Sequence, residues 1–443
     1  MGERVRFSGQ DRWFLVLLGT IYMFNFIDRT IIAVVGEAIR RDLALSDLQL
    51  GLMGGLAFSF FYAALGIPLA RLAERHSRVR LIAVVTALWS VMTMLSGAAA
   101  NFIQLLLCRI GVGIGEAGFT PALVSMISDR FPASRRAVAF SLIALGVPIG
   151  GAIAAVVGGM VAQAFGWRLA FVVVGFPGII LAALLFATIR EPERADAGDS
   201  SQTPSFGAVL RRLGRSPAFL HLTCGSGLVG LVGFGLNLFL IPFLVRVHGL
   251  TLPQAGLIFA LSFSLATAVG TTAGGYLMSL LARRDVRWGG RAPAAAITLA
   301  LPLYLAAIYQ SDWRVLIGLL FCATVCLYAF LPAVMTLTQS LVEPRMRASA
   351  AALHSFGQTV AGLGLGSVIL GYLSDRLAAA AYPGDYAAAC LSERGPPTAS
   401  CLAASATGLQ QAMMAVGVVL LVAVYNYWRA SRALPGETAE AMR

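Results

Sequence analysis

The chain has no lysine. Its 443 residues carry 33 Lys+Arg, and every one of them is Arg. Charge is scarce altogether, at 12% of residues, where soluble domains carry roughly 25%. With 58% hydrophobic residues, that scarcity excludes an ordinary soluble domain and reads as a polytopic membrane protein. The formal net charge of +12 would suggest nucleic acid if the Arg clustered on a soluble face. They do not, so no nucleic-acid partner is expected. They sit in short loops between apolar runs, as inside-facing charge does.

Cysteine and histidine are also few, with six Cys and four His, and neither is spaced as a metal or redox framework. Cys108, Cys224, Cys322 and Cys326 lie in apolar runs and read as small buried residues. Cys390 and Cys401 lie in a polar loop, where a disulfide can form if that loop is outside the cytosol. No metal cluster, nucleophile with a base, or phosphate loop is present, and the loops are too short for a catalytic domain. The chain is therefore not expected to be an enzyme, and no cofactor or metal is expected. No cleavable leader is expected either. The first apolar run is too long for one, lacks a small-residue cleavage site and contains Asp28-Arg29.

What fills the chain instead is about twelve apolar segments of spanning length. They cover 13–38, 47–72, 79–99, 102–127, 136–164, 168–189, 217–246, 252–282, 291–310, 313–341, 346–376 and 409–430. The expected fold is all-α: two six-helix bundles, 1–189 and 217–443, joined by a cytoplasmic linker at 190–216. The second long gap, 377–408, is rich in Ala, Pro and Gly. With the N-terminus placed in the cytosol, twenty-four Arg fall in cytosolic segments and seven on the opposite side. Under the positive-inside rule both termini are then cytoplasmic, in a cytoplasmic (inner) membrane, and the Cys390/Cys401 loop is outside. A faint repeat supports the two halves: Pro132 to Pro344 and Arg135 to Arg347 are both offsets of 212. Two like halves of six is a parallel-repeat plan of secondary transporters, with substrate held between the halves near the midplane.

The remaining two Arg, Arg29 and Arg109, are intramembrane. Arg109 and Glu116 lie seven residues apart in one apolar run, two helical turns and hence roughly one face. A charge at membrane depth costs about 2.5 kcal/mol or more, so such groups pair, face a bundle interior or line a pathway. Asp28-Arg29 sits mid-way along the first run. These four either form a neutral ion-paired group that holds the first and fourth helices together, or work as a switch. In the switch, one acid takes up a proton and an Arg is freed to hold an anion. Arg stays charged throughout and suits a phosphate by bidentate contact.

Gly113 to Gly118 matches GxGxxG, but no strand precedes it, so dinucleotide binding is rejected. Gly111, Gly115 and Gly118 instead permit close helix approach. Gly146-Val-Pro148-Ile-Gly150-Gly151 and Gly158-Gly159 suit a fifth helix that bends or packs tightly. Glu74, Arg75 and Arg78 end the second run. They either set topology or pair with neighbouring helix ends as a cytoplasmic gate. The second half lacks a comparable mid-span acid or Arg. Its candidate cavity-lining residues are Asn237, Thr336, His354 and Gln358, with His354 most simply a satisfied polar residue. An apolar wall opposite a charged half suits an amphiphile better than a sugar.

Over nearly its whole length the chain resembles the major facilitator superfamily. Ala70 to Arg78 is similar to that superfamily's loop between helices two and three, departing at Ala70, Glu74 and Ser77. Gly275-Tyr-Leu-Met-Ser279 is the equivalent stretch of the second half and lacks the acid. Asn25-Phe-Ile-Asp28-Arg29, Arg109-xxx-Gly-x-Gly-Glu116-Ala, Asp129-Arg-Phe-Pro132, Val147-Pro148-Ile-Gly150, Gly166-Trp167-Arg168 and Glu191-Pro192 resemble the spinster branch. The resemblance implies proton-coupled, alternating-access transport of lysophospholipid or sphingosine-phosphate-like amphiphiles. It implies proton-linked charge changes at Asp28 and Glu116, with Arg29 and Arg109 engaging the acids or the lipid phosphate. Organic-anion symporters of the same superfamily share the first-helix Asp-Arg and the fourth-helix Arg…Glu, and are the competing reading. The expected partners are the amphiphile, protons and membrane lipids, bound by a monomer.

Overall fold

The computed structural model describes residues 8–193, 206–282, 284–343, 346–391 and 398–441. Part of the expected linker lies outside the described residues. So do Pro344 of the repeat and Arg4, Arg6, Arg194, Arg283, Arg345, Arg394 and Arg443 of the charge count. Among the described residues there are helices and no strand, and twelve helices are long and apolar enough to cross a membrane. These are α1 (Gly9–Asp42), α2 (Asp47–Gly66), α3 (Arg78–Ser96), α4 (Phe102–Arg130), α5 (Val138–Phe165) and α6 (Trp167–Thr188). They continue as α7 (Pro217–His248), α8 (Leu252–Met278), α9 (Trp288–Tyr309), α10 (Trp313–Ser340), α11 (Ser349–Ala381) and α12 (Ala399–Thr438). The count agrees with the twelve apolar runs. The largest departure is α12, which begins ten residues before its run. Residues 399–407 are Ala- and Ser-rich, and Ala is the strongest helix former whatever its hydropathy. Thr398 caps that helix by accepting from the Cys401 N–H.

Polar residues at the ends set the starts. Ser8 and Asp11 make a capping box on α1, and Ser46 and Gln49 make one on α2. Ser77, Asn101 and Asp312 cap α3, α4 and α10. Between α5 and α6 the chain reverses through Gly166 at φ +88°, a conformation open to Gly and strained for any other residue. Wider π-type turns interrupt α2 at Leu52–Leu56, α5 at Ala154–Gly158, α8 at Ala260–Leu265 and α11 at Thr359–Leu365. They fall in the second and fifth helices of each set of six, a structural echo of the repeat.

The chain forms two compact units. Unit 1 takes in the described residues of Met1–Leu45, Ala57–Gly198 and Thr251–Leu257. Within it α3 packs on α4 and α6, α1 on α5 and α6, and the later part of α2 on α4. Unit 2 takes in those of Ser46–Leu56, Asp199–Leu250 and Ile258–Arg443. There α12 packs on α7, α9 and α11, and α10 on α8 and α9. Each unit has an apolar interior, with Phe14, Trp89 and Phe171 buried in the first and Phe239, Tyr304 and Tyr427 in the second. Large apolar side chains such as Val84, Leu107 and Phe176 point outward, as a lipid-facing surface requires. Cys390 and Cys401 are joined as a disulfide between α11 and α12, packed near Tyr382 and Tyr386.

Candidate functional site

Unit 1 brings Asp28, Arg29, Arg109 and Glu116 together. Asp28, Arg109 and Glu116 are buried on α1 and α4, and Asn25, one turn before Asp28, is buried with them. The Arg29 Nε donates to Glu116 Oε2 at 2.5 Å, and the Arg109 Nη1 donates to the Asp28 backbone carbonyl at 3.3 Å. The close pair is thus crossed: the first-helix Arg holds the fourth-helix acid, while Arg109 is turned toward the α1 backbone. Only the Arg29 side chain retains appreciable exposure, 24% against 0% for Glu116. Three rings surround its guanidinium, with centroids at 5.2 Å for Phe26, 5.0 Å for Phe58 and 4.8 Å for Tyr62. A cation against aromatic faces keeps part of its electrostatic stabilisation where water is excluded.

Glycine makes this closeness available. A Cβ at Gly113 would stand 2.7 Å from the Phe58 carbonyl, and one at Gly115 2.9 Å from the Trp89 N and Cβ. The α4 backbone therefore touches α2 on one side and α3 on the other. That contact places Phe58 under both Arg29 and Arg109, and Trp89 beside the Glu116 turn. Of the three glycines expected to permit close approach, Gly115 meets α3 backbone, whereas Gly111 meets the Met92 side chain and Gly118 that of Val85.

The residues ending the second run separate. Glu74 and Arg75 are exposed, whereas Arg78 is buried at the start of α3. Its Nε donates to Glu191 at 2.7 Å, its Nη2 to the Pro192 carbonyl at 2.7 Å, and its Nη1 to Ser125 at 3.0 Å and to Asp129. Glu191 in turn accepts from the Ser77 hydroxyl at 2.6 Å and from the N–H groups of Arg78 and Val79 at 3.1 and 3.0 Å. Burial pushes the Glu191 carboxyl up, but the Ser77 hydroxyl, the Val79 N–H and both Arg78 donors outweigh it and hold it below the usual range. A depressed carboxyl stabilises the fold above its unfolded-state value and loses that contribution as pH falls through the folded value. Glu191→Gln is therefore expected to cost about 2 kcal/mol near neutrality, with the deficit shrinking below about pH 4. Thermal unfolding in detergent at two pH values checks this, and a deficit of equal size at both would contradict it.

In unit 2, His354 is buried and its Nδ1 lies 3.0 Å from the Thr223 hydroxyl. Gln358 is half-buried on α11 against α7 near Gly230, and Asn237 is half-buried on α7. Thr336 is exposed, with its hydroxyl donating to the Pro332 carbonyl at 2.9 Å.

Sequence reasoning missed a buried ion pair in unit 2. Arg246 grips Asp47 through both Nη atoms at 2.7 Å, and the two side chains are 1% and 5% exposed. Ser374 donates to Asp47 at 2.6 Å, Arg246 also donates to Ser405 at 3.1 Å, and Asp375 accepts from the N–H groups of Asp47 and Leu48. The only trace in the sequence is polarity at the ends of the second, seventh and eleventh runs. Partners up to 328 positions apart carry no local signal. The Arg29 rings were equally unmarked, being ordinary aromatics of apolar runs.

The Major Facilitator Superfamily model matches residues 18–365, and the chain belongs to that superfamily of membrane transporters. A solved bacterial homolog to human lysosomal transporter, Spinster, superposes at a TM-score of 0.85 with 33% identity over 98% of this chain and 99% of that one. Within the superfamily the chain is accordingly spinster-like, a multi-pass transporter and not an enzyme. A Mycolicibacterium smegmatis protein named MFS-type efflux pump is 32% identical over 82% of this chain and 83% of its own. A Bacillus subtilis hexuronate transporter is 28% identical over 62% and 65%.

Proposed function

We propose that the protein is a proton-coupled secondary transporter of lysophospholipid or sphingosine-phosphate-like amphiphiles, working by alternating access. The observation that carries this reading is the Arg29–Glu116 pair: a part-exposed guanidinium held by a fully buried carboxylate and walled by Phe26, Phe58 and Tyr62. A guanidinium with a replaceable counter-ion receives an oxyanion, and the aromatic wall receives the chain beside it. Protonation of Glu116 neutralises the counter-ion and frees Arg29 for the headgroup. Asp28 is the second proton-carrying group. Arg109 shapes the α1 backbone from beneath, so Arg29 is the nearer headgroup contact. Arg78 with Asp129 and Glu191 ties helix ends within unit 1, and that is the role we assign to this part of the expected gate.

The reading places the protein in a cytoplasmic membrane with both termini inside. The Arg asymmetry supports this, and so does the Cys390–Cys401 disulfide, which suits an oxidising outer side. A carrier of small organic anions is the second reading, favoured by the likeness to a hexuronate transporter.

Reconstituted liposomes with an imposed pH gradient separate the two, using labelled lysophosphatidylcholine, sphingosine phosphate and glucuronate. Uptake of either lipid, reduced at least tenfold by Arg29→Gln, is expected. Uptake of glucuronate alone would transfer the assignment to the second reading.

A further inference from the structure

Unit 1 concentrates buried polar atoms that the protein leaves without hydrogen-bond partners. Among the described residues, nine of the twelve such side-chain atoms lie on α1, α3 and α4 around the ion-paired site. Burying a donor or acceptor unpaired costs about 1–3 kcal/mol. Asn25 approaches the Glu116 carboxyl, as Thr93 approaches that of Asp28, but neither contact has ordinary hydrogen-bond geometry, and ordered water is the usual ligand of such atoms.

The α3 contribution is regular. Thr86, Ser90 and Thr93 follow one another at i, i+4 and i+7, a single helical stripe. All three hydroxyls are unpartnered, and the side chains are 1%, 0% and 0% exposed. Ser90 abuts α6, where a Cβ at Gly178 would collide with its Oγ. Thr93 lies by the Asp28 carboxyl without an ordinary hydrogen-bond geometry to it. Trp89, on the adjoining face with its Nε1 also unpartnered, sits against Gly115, next to Glu116. From Thr86 to Thr93 is seven residues, as is Glu116 to Arg109 on α4. The stripe thus runs about 10 Å along α3, with Thr93 by the Asp28 carboxyl and Trp89, beside the stripe, against the turn that carries Glu116.

A proton passing between these acids needs such a stripe. Asp28 and Glu116 face Arg29 and Arg109, with the phenols of Tyr22 and Tyr62 close to Arg29. A guanidinium stays protonated and has no acceptor, so neither Arg can relay. A hydroxyl both accepts and donates, as does water.

We infer that Thr86, Ser90 and Thr93 hold a file of internal water inside unit 1 that conducts protons between Asp28 and Glu116, with Thr93 as the contact to Asp28. Each hop passes one proton along and leaves every hydroxyl and water as it was. The relay rests on the proton-coupled reading. The water file stands independently of it.

Two measurements keep these apart. In X-ray hydroxyl-radical footprinting of the full chain in liposomes, water beside Trp89 is expected to make it oxidise at least tenfold faster than the equally buried Phe171. Ser90→Ala with Thr93→Val is expected to lower that rate at least threefold. A Trp89 as inert as Phe171 would overturn the water file. For the relay, Thr93→Val is expected to lower pH-driven uptake of labelled lysophosphatidylcholine at least tenfold. Counterflow at uniform pH should stay within threefold of the unsubstituted protein, and Thr93→Ser should restore the driven rate. Equal loss in both modes, or an unchanged driven rate, would overturn the relay. An unsubstituted protein that is driven by sodium and not by pH would overturn the proton-coupled reading and the relay, leaving the footprint to decide the water file.

Discussion

Glu116→Gln is expected to abolish pH-driven transport, a loss of at least about a hundredfold, while the protein still folds. Gln keeps the size of Glu and an oxygen facing the Arg29 Nε, so the contact made at 2.5 Å survives in form. What disappears is the ability to exist in two charge states. Glu116 is 0% exposed, so any change of charge there must be answered by its neighbours. Arg29 is bonded directly to it and is the one with room to move. With a neutral Gln, Arg29 lacks a counter-ion at every pH, and headgroup binding no longer follows the gradient. The cost of leaving Arg29 without its counter-ion is moderated by the rings of Phe26, Phe58 and Tyr62 and by its partial exposure. The check is a pH-rate profile in liposomes beside a thermal unfolding curve in detergent. A profile with the unsubstituted protein's shape would remove Glu116 from the coupling scheme. A protein that no longer unfolds cooperatively would make the pair structural.

The second large effect is one of stability. Asp47→Ala is expected to cost about 3–5 kcal/mol, because it removes the bidentate carboxylate from a buried guanidinium, Arg246. For a unit of this size that lowers the unfolding midpoint by at least about 6 °C. Ser405, another polar neighbour of the Arg246 guanidinium, is neutral and cannot replace that charge. Ser374 would lose its acceptor as well. Asp375→Asn is expected to do far less, since its carboxylate accepts from backbone N–H groups and an amide oxygen can still take one of them. Replacing both partners together, Asp47→Leu with Arg246→Met, should recover much of the loss, as apolar groups of similar size leave no stranded charge. Differential scanning fluorimetry of the four proteins decides it. An Asp47→Ala protein as stable as the original would show that Arg246 finds compensation elsewhere.

Much of this molecule was legible in one dimension because membrane chemistry is severe. Apolar runs must span, Arg is kept to the loops between them, and the two Arg that lie inside runs, Arg29 and Arg109, marked the interior site at once. Seven-residue spacing put Arg109 and Glu116 on one face of a helix, and the structure has both buried there. Which Arg holds which acid was not legible. Arg29 and Glu116 lie 87 positions apart, and their pairing depends on how α1 rotates against α4, which Gly113 and Gly115 help to set through contacts with α2 and α3. The Arg78 network was half legible: Asp129 and Glu191 stood out as parts of sequence motifs, while their convergence on one buried guanidinium needed three dimensions. Asp47 and Arg246 were not legible, because each reads alone as an unremarkable charge at the end of an apolar run. Thr86, Ser90 and Thr93 were invisible for another reason. Hydroxyls are common in spanning helices, where they bond the preceding turn, and only their lack of such a bond distinguishes them.

Trp89 gives the site a native optical readout. Its indole is fully buried, edge-on to Phe119, and backed by the Gly115 turn beside Glu116. The emission colour and lifetime of an indole follow the local electric field, and Glu116, next to the Gly115 that Trp89 touches, is an ionisable group of the site. Each change in its charge would tint that emission, so the working cycle could be followed by light in an unlabelled chain once the remaining indoles are replaced.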